Sequence, residues 1–253
     1  MLTVTSSQNP RIRAMRDLKQ AKARQETGCF LVEGVKLCAE ALRDAEVVTL
    51  LADMDKAEAL APLISQAKDV LLAPARVIES VCEARTPQGV AASVRLPRAL
   101  ALPKARGPLL ALDGVQDPGN VGAMLRTAEA AGFAGALLSP GCADAFAPKT
   151  VRASMGSALR LPLWRGELTE ALAALQAMGY TAIGAELGGT PFQRAYAGPR
   201  FTLVIGSEGH GVSPAISALC GLRVSLPMRG RVESLNAAVA AGILMYGLAE
   251  GVI

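Results

Sequence analysis

From residue 107 onward the sequence alternates short apolar runs with helical stretches, and that alternation leaves few folds open. The runs fall at 109–112, 136–139, 181–185, 201–205 and 223–226, and helices are expected near 120–131, 148–157, 168–178, 214–219 and 235–249. Strands this short and apolar, interleaved with helices, build a mostly parallel sheet with both faces covered. Aromatics are only 4% of the chain, so the core is Ala, Leu and Val, which suits close packing of helix on sheet. In such sheets ligands sit beyond the carboxyl ends of the strands.

The earlier part is a second, smaller α/β pattern. A helix is expected over 9–25, an apolar run at Phe30-Leu31-Val32, helices near 35–44 and 55–67, and further runs at 47–51, 70–73 and 90–94. Between the two parts, Pro97, Pro103, Gly107 and Pro108 disfavour regular structure. The division expected is therefore 1–96, a linker at 97–106, and 107–253. The net charge of +4 lies wholly in the first part: up to residue 106 there are 16 Lys and Arg against 12 Asp and Glu, and afterwards 10 against 10. Arg11, Arg13, Arg16, Lys19, Lys22 and Arg24 precede residue 25 with Asp17 as the sole acid among them. Such a run is either a solvated helix face or an arm for phosphates.

Several classes lose support. The most apolar stretch, 235–248, is too short to span a bilayer and contains Asn236. Residues 1–20 lack the apolar region of a signal peptide. Cys29, Cys38, Cys82, Cys142 and Cys220 form no C-x-x-C and read as free thiols of a reducing cytoplasm. With His210 the single histidine, neither a metal site nor Ser-His-Asp machinery is expected.

Three loops hold more than packing requires. The first, Asp113-Gly-Val-Gln-Asp-Pro-Gly-Asn-Val-Gly122, leads into Arg126-Thr-Ala. Asn120 is placed as a helix N-cap, and Arg126 is either a surface group or one aimed at an anion. The second, Gly206-Ser-Glu-Gly-His-Gly211, has three glycines in six residues and puts Glu208 at a strand end. It is neither a phosphate loop nor G-x-G-x-x-G, so ATPase and ordinary dinucleotide readings weaken. His210 reads as solvent-facing, and Ser213 with Pro214 as a helix start. The third, Leu226-Pro-Met-Arg-Gly-Arg-Val-Glu-Ser-Leu-Asn236, offers Ser234 as a cap for the last helix. Ala237, Ala238, Ala240, Ala241 and Gly242 keep that helix thin enough for close packing within the core or between subunits.

In this order, Asp117-Pro-Gly-Asn120-Val-Gly122 with Arg126-Thr-Ala, Ile205-Gly206-Ser-Glu208-Gly-His-Gly211, and Leu226-Pro-Met228 with Ser234-Leu-Asn236 resemble the motifs of the SpoU/TrmH family of RNA ribose 2'-O-methyltransferases, within the SPOUT superfamily. The likeness spans about residues 107–250. Asn9-Pro10-Arg11-Ile12 and Phe30-Leu31-Val32-Glu33-Gly34 resemble the family's small L30e-like substrate-binding domain.

The resemblance implies an α/β fold with a parallel sheet and a deep trefoil knot, a homodimer, and a pocket for S-adenosyl-L-methionine made by the knotted loops. Carried over by position, Gly206, Leu226 and Leu235 bind the cofactor, largely through backbone groups, and Ile205 and Met228 line the same pocket. Asn120, Arg126, Glu208, Ser234 and Asn236 fall on the polar active-site positions. Arg126 matches the residue to which the family assigns the base role. A guanidinium pKa above about 12 makes a phosphate clamp an equally physical role for it. Methyl transfer to a hydroxyl is an in-line displacement that gains mainly from positioning, with general-base help worth roughly 10²–10⁴-fold. Arg11, Arg13, Arg16 and Lys19 are the candidate RNA contacts. Ribosomal RNA of the large subunit is the favoured substrate. The alternatives are tRNA, or a non-catalytic RNA-binding assembly or self-protection factor.

Overall fold

The computed structural model describes residues 1–97, 107–192 and 198–249. Apart from Pro97, the expected linker lies outside these residues. The chain forms two compact units, Met1–Arg98 with Phe146–Arg160, and Ala99–Ala145 with Leu161–Ile253.

The first unit is a five-stranded mixed sheet. Its strands are β1 (Leu2–Thr3), β2 (Cys29–Glu33), β3 (Val47–Asp53), β4 (Val70–Ala73) and β5 (Val90–Arg95), in the order β1-β4-β3-β5-β2. β1, β4 and β3 run parallel, and β5 is antiparallel to both of its neighbours. Successive side chains of a strand point to opposite faces, and the two cores follow that rule. Leu31, Leu51 and Ala91 join Ile12, Met15, Val77 and Ile78 on one face. Phe30, Val32, Leu50, Ala52, Val90 and Ala92 join Cys38, Ala41 and Val151 on the other.

Val151 comes from a segment that the sequence pattern assigns to the later half. Helix Pro148–Ser154 packs on β2, and Phe146 stacks on Phe30 with ring centroids 4.9 Å apart. Arg152 pairs with Glu33 and Glu83, and Arg160 with Glu40. The apolar residues of 146–160 carry no mark of which sheet they cover, so local pattern does not reveal the exchange.

The expected helix over 9–25 is two helices, Pro10–Asp17 and Ala21–Thr27. The buried Arg24 explains the break: its Nη1 donates to the carbonyls of Leu18 at 2.8 Å and Lys19 at 2.9 Å. Those carbonyls are thereby satisfied outside a continuous helix. The helix expected near 55–67 is a short 3-10 turn, Met54–Lys56, followed by Ala61–Ile64.

The second unit is a six-stranded, wholly parallel sheet. Its strands are β6 (Leu109–Asp113), β7 (Gly135–Leu138), β8 (Leu163–Arg165), β9 (Thr181–Pro191), β10 (Phe201–Gly206) and β11 (Leu222–Ser225), in the order β11-β9-β10-β6-β7-β8. Leu109, Ala111, Ala182 and Val204 pack against Leu168, Leu172 and Leu175 of helix Leu168–Ala177. Helix Ala237–Ala249 packs on helix Pro118–Ala130 and on β10. From β6 the chain moves outward through β7 to β8, then returns to build β9, β10 and β11 on the other side of β6. The sheet reverses between β6 and β10, and their carboxyl-end loops flank the crevice that such a reversal opens.

β9 is longer than the run expected at 181–185. Ile183 and Gly184 pair with Leu222 and Arg223, but the next two residues of β11 pair with Thr190 and Pro191. Residues 185–189 therefore bulge out of the β9–β11 ladder at its carboxyl end. Ser225 Oγ donates to the Gly189 carbonyl at 2.9 Å, and a Cβ on Gly189 would lie 2.8 Å from the β11 backbone.

Candidate active site

All three loops singled out in the sequence converge at the carboxyl end of the second sheet. The residue that caps helix Pro118–Ala130 is Asp117, whose Oδ1 accepts from the Asn120 N–H at 2.8 Å. Pro118 occupies the first helical position, where its missing N–H costs nothing, and this moves the cap three residues before Asn120. The amide side chain of Asn120 is thereby released for other contacts. Its Nδ2 donates to Glu208 Oε1 at 2.8 Å, and its Oδ1 accepts from Asn236 Nδ2 at 3.1 Å.

Asn236, not Ser234, caps the last helix. Its Oδ1 accepts from the N–H groups of Ala238 at 2.9 Å and Val239 at 3.2 Å. One side chain thus serves both the helix start and the polar chain Asn236–Asn120–Glu208. Ser213 sits at its expected helix start, but its side chain makes no capping bond. Its N–H instead donates to Asp113 Oδ2 at 2.8 Å, tying the loop after β10 to the end of β6.

The glycines of the second loop have a backbone explanation. Ser207 and Gly211 bridge each other, and a Cβ on Gly206 would fall 1.9 Å from the Gly211 carbonyl carbon. Gly211 itself has φ +67°, a conformation that favours glycine. His210 is exposed, as expected. Arg126 is exposed on the helix that carries Asn120 and makes no hydrogen bond or ion pair with any described residue. Glu208 therefore orients Asn120 and leaves Arg126 available for an anion.

Beside this polar chain lies a cleft lined by Leu226, Met228, Ser234 and Leu235 from the third loop, by Ala240 and Leu244 of the last helix, and by Ala185, Glu186 and Leu187 of the bulge. Three of the five expected cofactor residues line it. Gly206 does not, and Ile205 is buried in β10 opposite Ala185. The sequence reading missed Glu186, although its signal matched that of Glu208, a charge at the carboxyl end of an apolar run. Burial and that carboxylate push the thiol of nearby Cys220 up to about 11.

The candidate RNA contacts of the first unit divide. Arg11 pairs with Asp69, and Lys19 Nζ donates to the carbonyls of Ser80 at 3.3 Å and Cys82 at 3.0 Å. Arg13 and Arg16 have no ion-pair partner among the described residues, and Arg13 is exposed. Among those residues, no group of three or more His, Cys, Asp or Glu side chains is arranged to hold a metal.

Comparison with known proteins gives a consistent picture. The profile of the SpoU rRNA Methylase family matches residues 107–246, and that of the MRM3-like substrate binding domain matches residues 9–92. The chain is 37% identical over 249 residues to the 23S rRNA (guanosine(2553)-2'-O)-methyltransferase RlmP of Bacillus subtilis, covering 98% of this chain and 99% of that protein. It resembles the crystal structure of AdoMet-bound rRNA methyltransferase from Sinorhizobium meliloti with a TM-score of 0.87 and 31% identity, over 100% of this chain and 98% of that one. The SpoU methyltransferase AviRb from Streptomyces viridochromogenes, in complex with AdoMet, superposes with a TM-score of 0.88 and 28% identity, over 96% of this chain and 98% of that one.

Proposed function

The chain belongs to the SpoU rRNA methylase family, and on that premise we propose that it transfers the methyl group of S-adenosyl-L-methionine to a ribose 2'-hydroxyl of large-subunit ribosomal RNA. The observation that carries the reading is the polar chain Asn236–Asn120–Glu208 lying next to the cleft, with Arg126 unpartnered on the same helix as Asn120.

The cleft fits the cofactor's chemistry. Leu187, Leu226, Met228, Leu235 and Leu244 offer apolar walls for a flat base, and Glu186 and Ser234 offer polar contacts for its substituents. Oε1 of Glu186 is buried and accepts no hydrogen bond. The enclosed space is about 110 Å³, less than the roughly 300 Å³ of a small-molecule pocket, so it takes part of such a molecule. When bound, the cofactor supplies a methyl group activated on a sulfonium. Arg126 would hold the phosphate beside the target ribose through its planar fork of N–H donors. Such a clamp would fix the hydroxyl for in-line attack on the methyl carbon, with S-adenosylhomocysteine as the leaving group, and would place a phosphate oxygen to take up the proton that the hydroxyl loses. Asn120, locked between Glu208 and Asn236, presents a fixed amide beside that position.

The fold reading includes the trefoil knot. It is supported by the return of the last helix from edge strand β11 to pack on the helix that follows β6. The homodimer is supported by Val239, Ile243 and Tyr246, apolar, on one stripe of that helix and 52%, 46% and 48% exposed. Sedimentation of the full chain should give twice the mass of 26.1 kDa, and Ile243→Asp with Tyr246→Asp should give the monomer. A cytoplasmic location is supported by the five free buried thiols. No described helix is long and apolar enough to cross a membrane.

The deciding experiment is transfer of tritiated methyl from S-adenosyl-L-methionine to RNA from a strain lacking the protein, resolved by size and then by resistance to alkaline cleavage. Label in large ribosomal RNA at an alkali-resistant linkage is expected. Label confined to tRNA would replace the substrate, and no label in RNA or in ribosomal subunits would defeat the enzyme reading.

A further inference from the structure

Helix Pro214–Ser217 starts without a capping side chain, and Pro214 brings no N–H of its own. The N–H of Ser213 is taken up from outside the segment, by Asp113 Oδ2 at 2.8 Å, across 100 positions of sequence. Among the described residues Asp113 pairs with no cation, and its side chain makes no other hydrogen bond. This carboxylate serves one backbone donor.

That donor closes the segment that carries Glu208. The turn before it is fastened on itself: Ser207 and Gly211 exchange N–H···O bonds of 3.0 and 2.9 Å, and the His210 N–H donates to Ser207 Oγ at 3.2 Å. Val212 is buried in the core, which fixes the depth of the segment. At its start, Gly206 pairs with Asp113 in the ladder between β10 and β6. At its finish, Ser213 is held by the Asp113 side chain. Both ends therefore stand on one residue. Asp113 also opens the loop that leads to Asn120, and the next N–H along it, that of Gly114, donates to Ser139 Oγ at 2.9 Å. The result is a closed circuit. It runs from Asp113 to Asn120, across the 2.8 Å bond to Glu208, and back through the turn to Ser213 and the Asp113 carboxylate. Loops tied at both ends have less freedom to lose when Glu208 meets Asn120.

We propose that Asp113 is a positioning residue of the methyl transfer. Its carboxylate sets the turn so that Glu208 meets Asn120, and it acts on the reaction through those two side chains, without touching RNA or cofactor. The inference rests on the reading of the chain Asn236–Asn120–Glu208 as part of the active site. The tether needs an acceptor and not a charge. Asparagine keeps an oxygen at that place and alanine does not. A displacement of about 1 Å at a reacting centre costs on the order of 10²-fold in rate, so a slackened turn is costly even where the fold survives.

The test is single-turnover methyl transfer by the full chain to ribosomal RNA from a strain lacking the protein, at saturating S-adenosyl-L-methionine and varied RNA. It compares wild type, Asp113→Asn, Asp113→Ala, and Asp113→Ala in the Glu208→Ala background, with thermal midpoints taken alongside. Asp113→Ala should lower the maximal rate about tenfold or more, with the RNA concentration for half-maximal rate within about twofold of wild type. Asp113→Asn should hold the rate within about threefold of wild type. In the Glu208→Ala background, Asp113→Ala should cost less than about twofold, because the turn then has no carboxylate to deliver. If Asp113→Ala folds poorly, Asp113→Ala/Ser213→Pro takes its place. Ser213 has φ −64°, which proline shares, and that pair of changes leaves no N–H unpaired. Its rate should be as low as that expected of Asp113→Ala. A wild-type rate in whichever of these two is folded would overturn the proposal. So would an equal loss in both backgrounds, since Asp113 would then only shape the unit. Asp113→Asn as slow as Asp113→Ala would overturn it too, since the charge would matter and not the tether. No methyl transfer by wild type would overturn the active-site reading itself.

Discussion

Asn120 Nδ2 and Glu208 Oε1 are 2.8 Å apart although the two residues are separated by 88 positions in sequence. The bond joins the loop after β6 to the loop after β10, across the place where the sheet reverses direction. With Asn236 on the other side of Asn120, it makes one network from three segments. Members of a network do not contribute independently. Asn120→Ala, Glu208→Ala and Asn236→Ala should each lower the single-turnover rate by about 10²-fold. The double variant Asn120→Ala/Glu208→Ala should lose little more than the worse single. Multiplicative losses in single-turnover assays would mean that the residues act separately.

Arg126 has no partner to release, so its truncation isolates its action on substrate. Arg126→Ala should lower the rate by about 10²–10³-fold while S-adenosylhomocysteine affinity, read by calorimetry, stays within about twofold. Arg126→Lys should recover only part of the rate, because a point charge replaces a planar fork. A large loss of cofactor affinity in Arg126→Ala would place this side chain at the cleft instead.

The basic run of the first unit separates into structural and free charges. Arg13→Ala with Arg16→Ala should weaken RNA binding and reduce the slope of log K against log salt by roughly 0.7–0.9 for each phosphate left without its cation. Arg24→Ala should instead cost about 1–3 kcal/mol of stability, because two carbonyls lose their donor. Filter binding across salt concentrations and urea unfolding tell the two apart. An unchanged salt slope in the double variant would remove this face from RNA binding.

Glu33 is buried and accepts from the N–H groups of Glu83 and Ala84 as well as from Arg152. Removing Arg152 leaves that carboxylate without its counter-charge. Arg152→Ala should destabilise the protein by about 2–3 kcal/mol, less than the roughly 3–5 kcal/mol of a fully enclosed pair because Arg152 is partly exposed to solvent. Arg152→Ala/Glu33→Gln should recover part of the loss. Urea denaturation measures both.

Cys82 is pushed up to about 12, by burial first and then by Glu33, and Cys220 to about 11, by burial and then by Glu186. A thiol whose pKa is raised on folding holds its proton longer in the native state. Stability from these groups is complete below the unfolded value near 9 and falls as pH rises from there toward 11–12. Cys82→Ala and Cys220→Ala should each show a shallower decline of unfolding free energy above pH 9 than wild type. Equal slopes would show that neither thiol titrates differently in the two states.

The periodicity of the second unit is readable where a parallel strand is apolar on both faces and bounded by helices, and not at β8, Leu163–Arg165, whose short, half-exposed run was not expected. β6, β7 and β10 fall within a residue of the expected runs. The three motif loops were readable because glycine, proline and isolated polar groups interrupt that apolar background. The capping roles were not. Asp117 displaces Asn120, and Asn236 displaces Ser234, because a cap is chosen by where proline and chain direction allow the helix to begin. The bulge of β9 also escaped. Residues 185–189 have no period to read, and their meaning depends on β11, whose pairing partners are long-range. The same holds for 146–160, whose apolar residues suit either sheet.

Glu33 and Arg152 are 119 residues apart in the chain. A ribosome adds roughly 5–20 residues per second. Roughly 6–24 seconds therefore separate the emergence of the buried acid from that of its counter-charge, and Val151 and Phe146 reach the face of β2 over the same interval. The first unit begins to be made first, yet its core cannot close until part of the second has been synthesised. During synthesis the nascent chain presents the uncovered face of β2, with Phe30 and Val32, to whatever handles it. The first unit is complete only when residue 160 has been made, well past the point at which its own sheet ends in sequence.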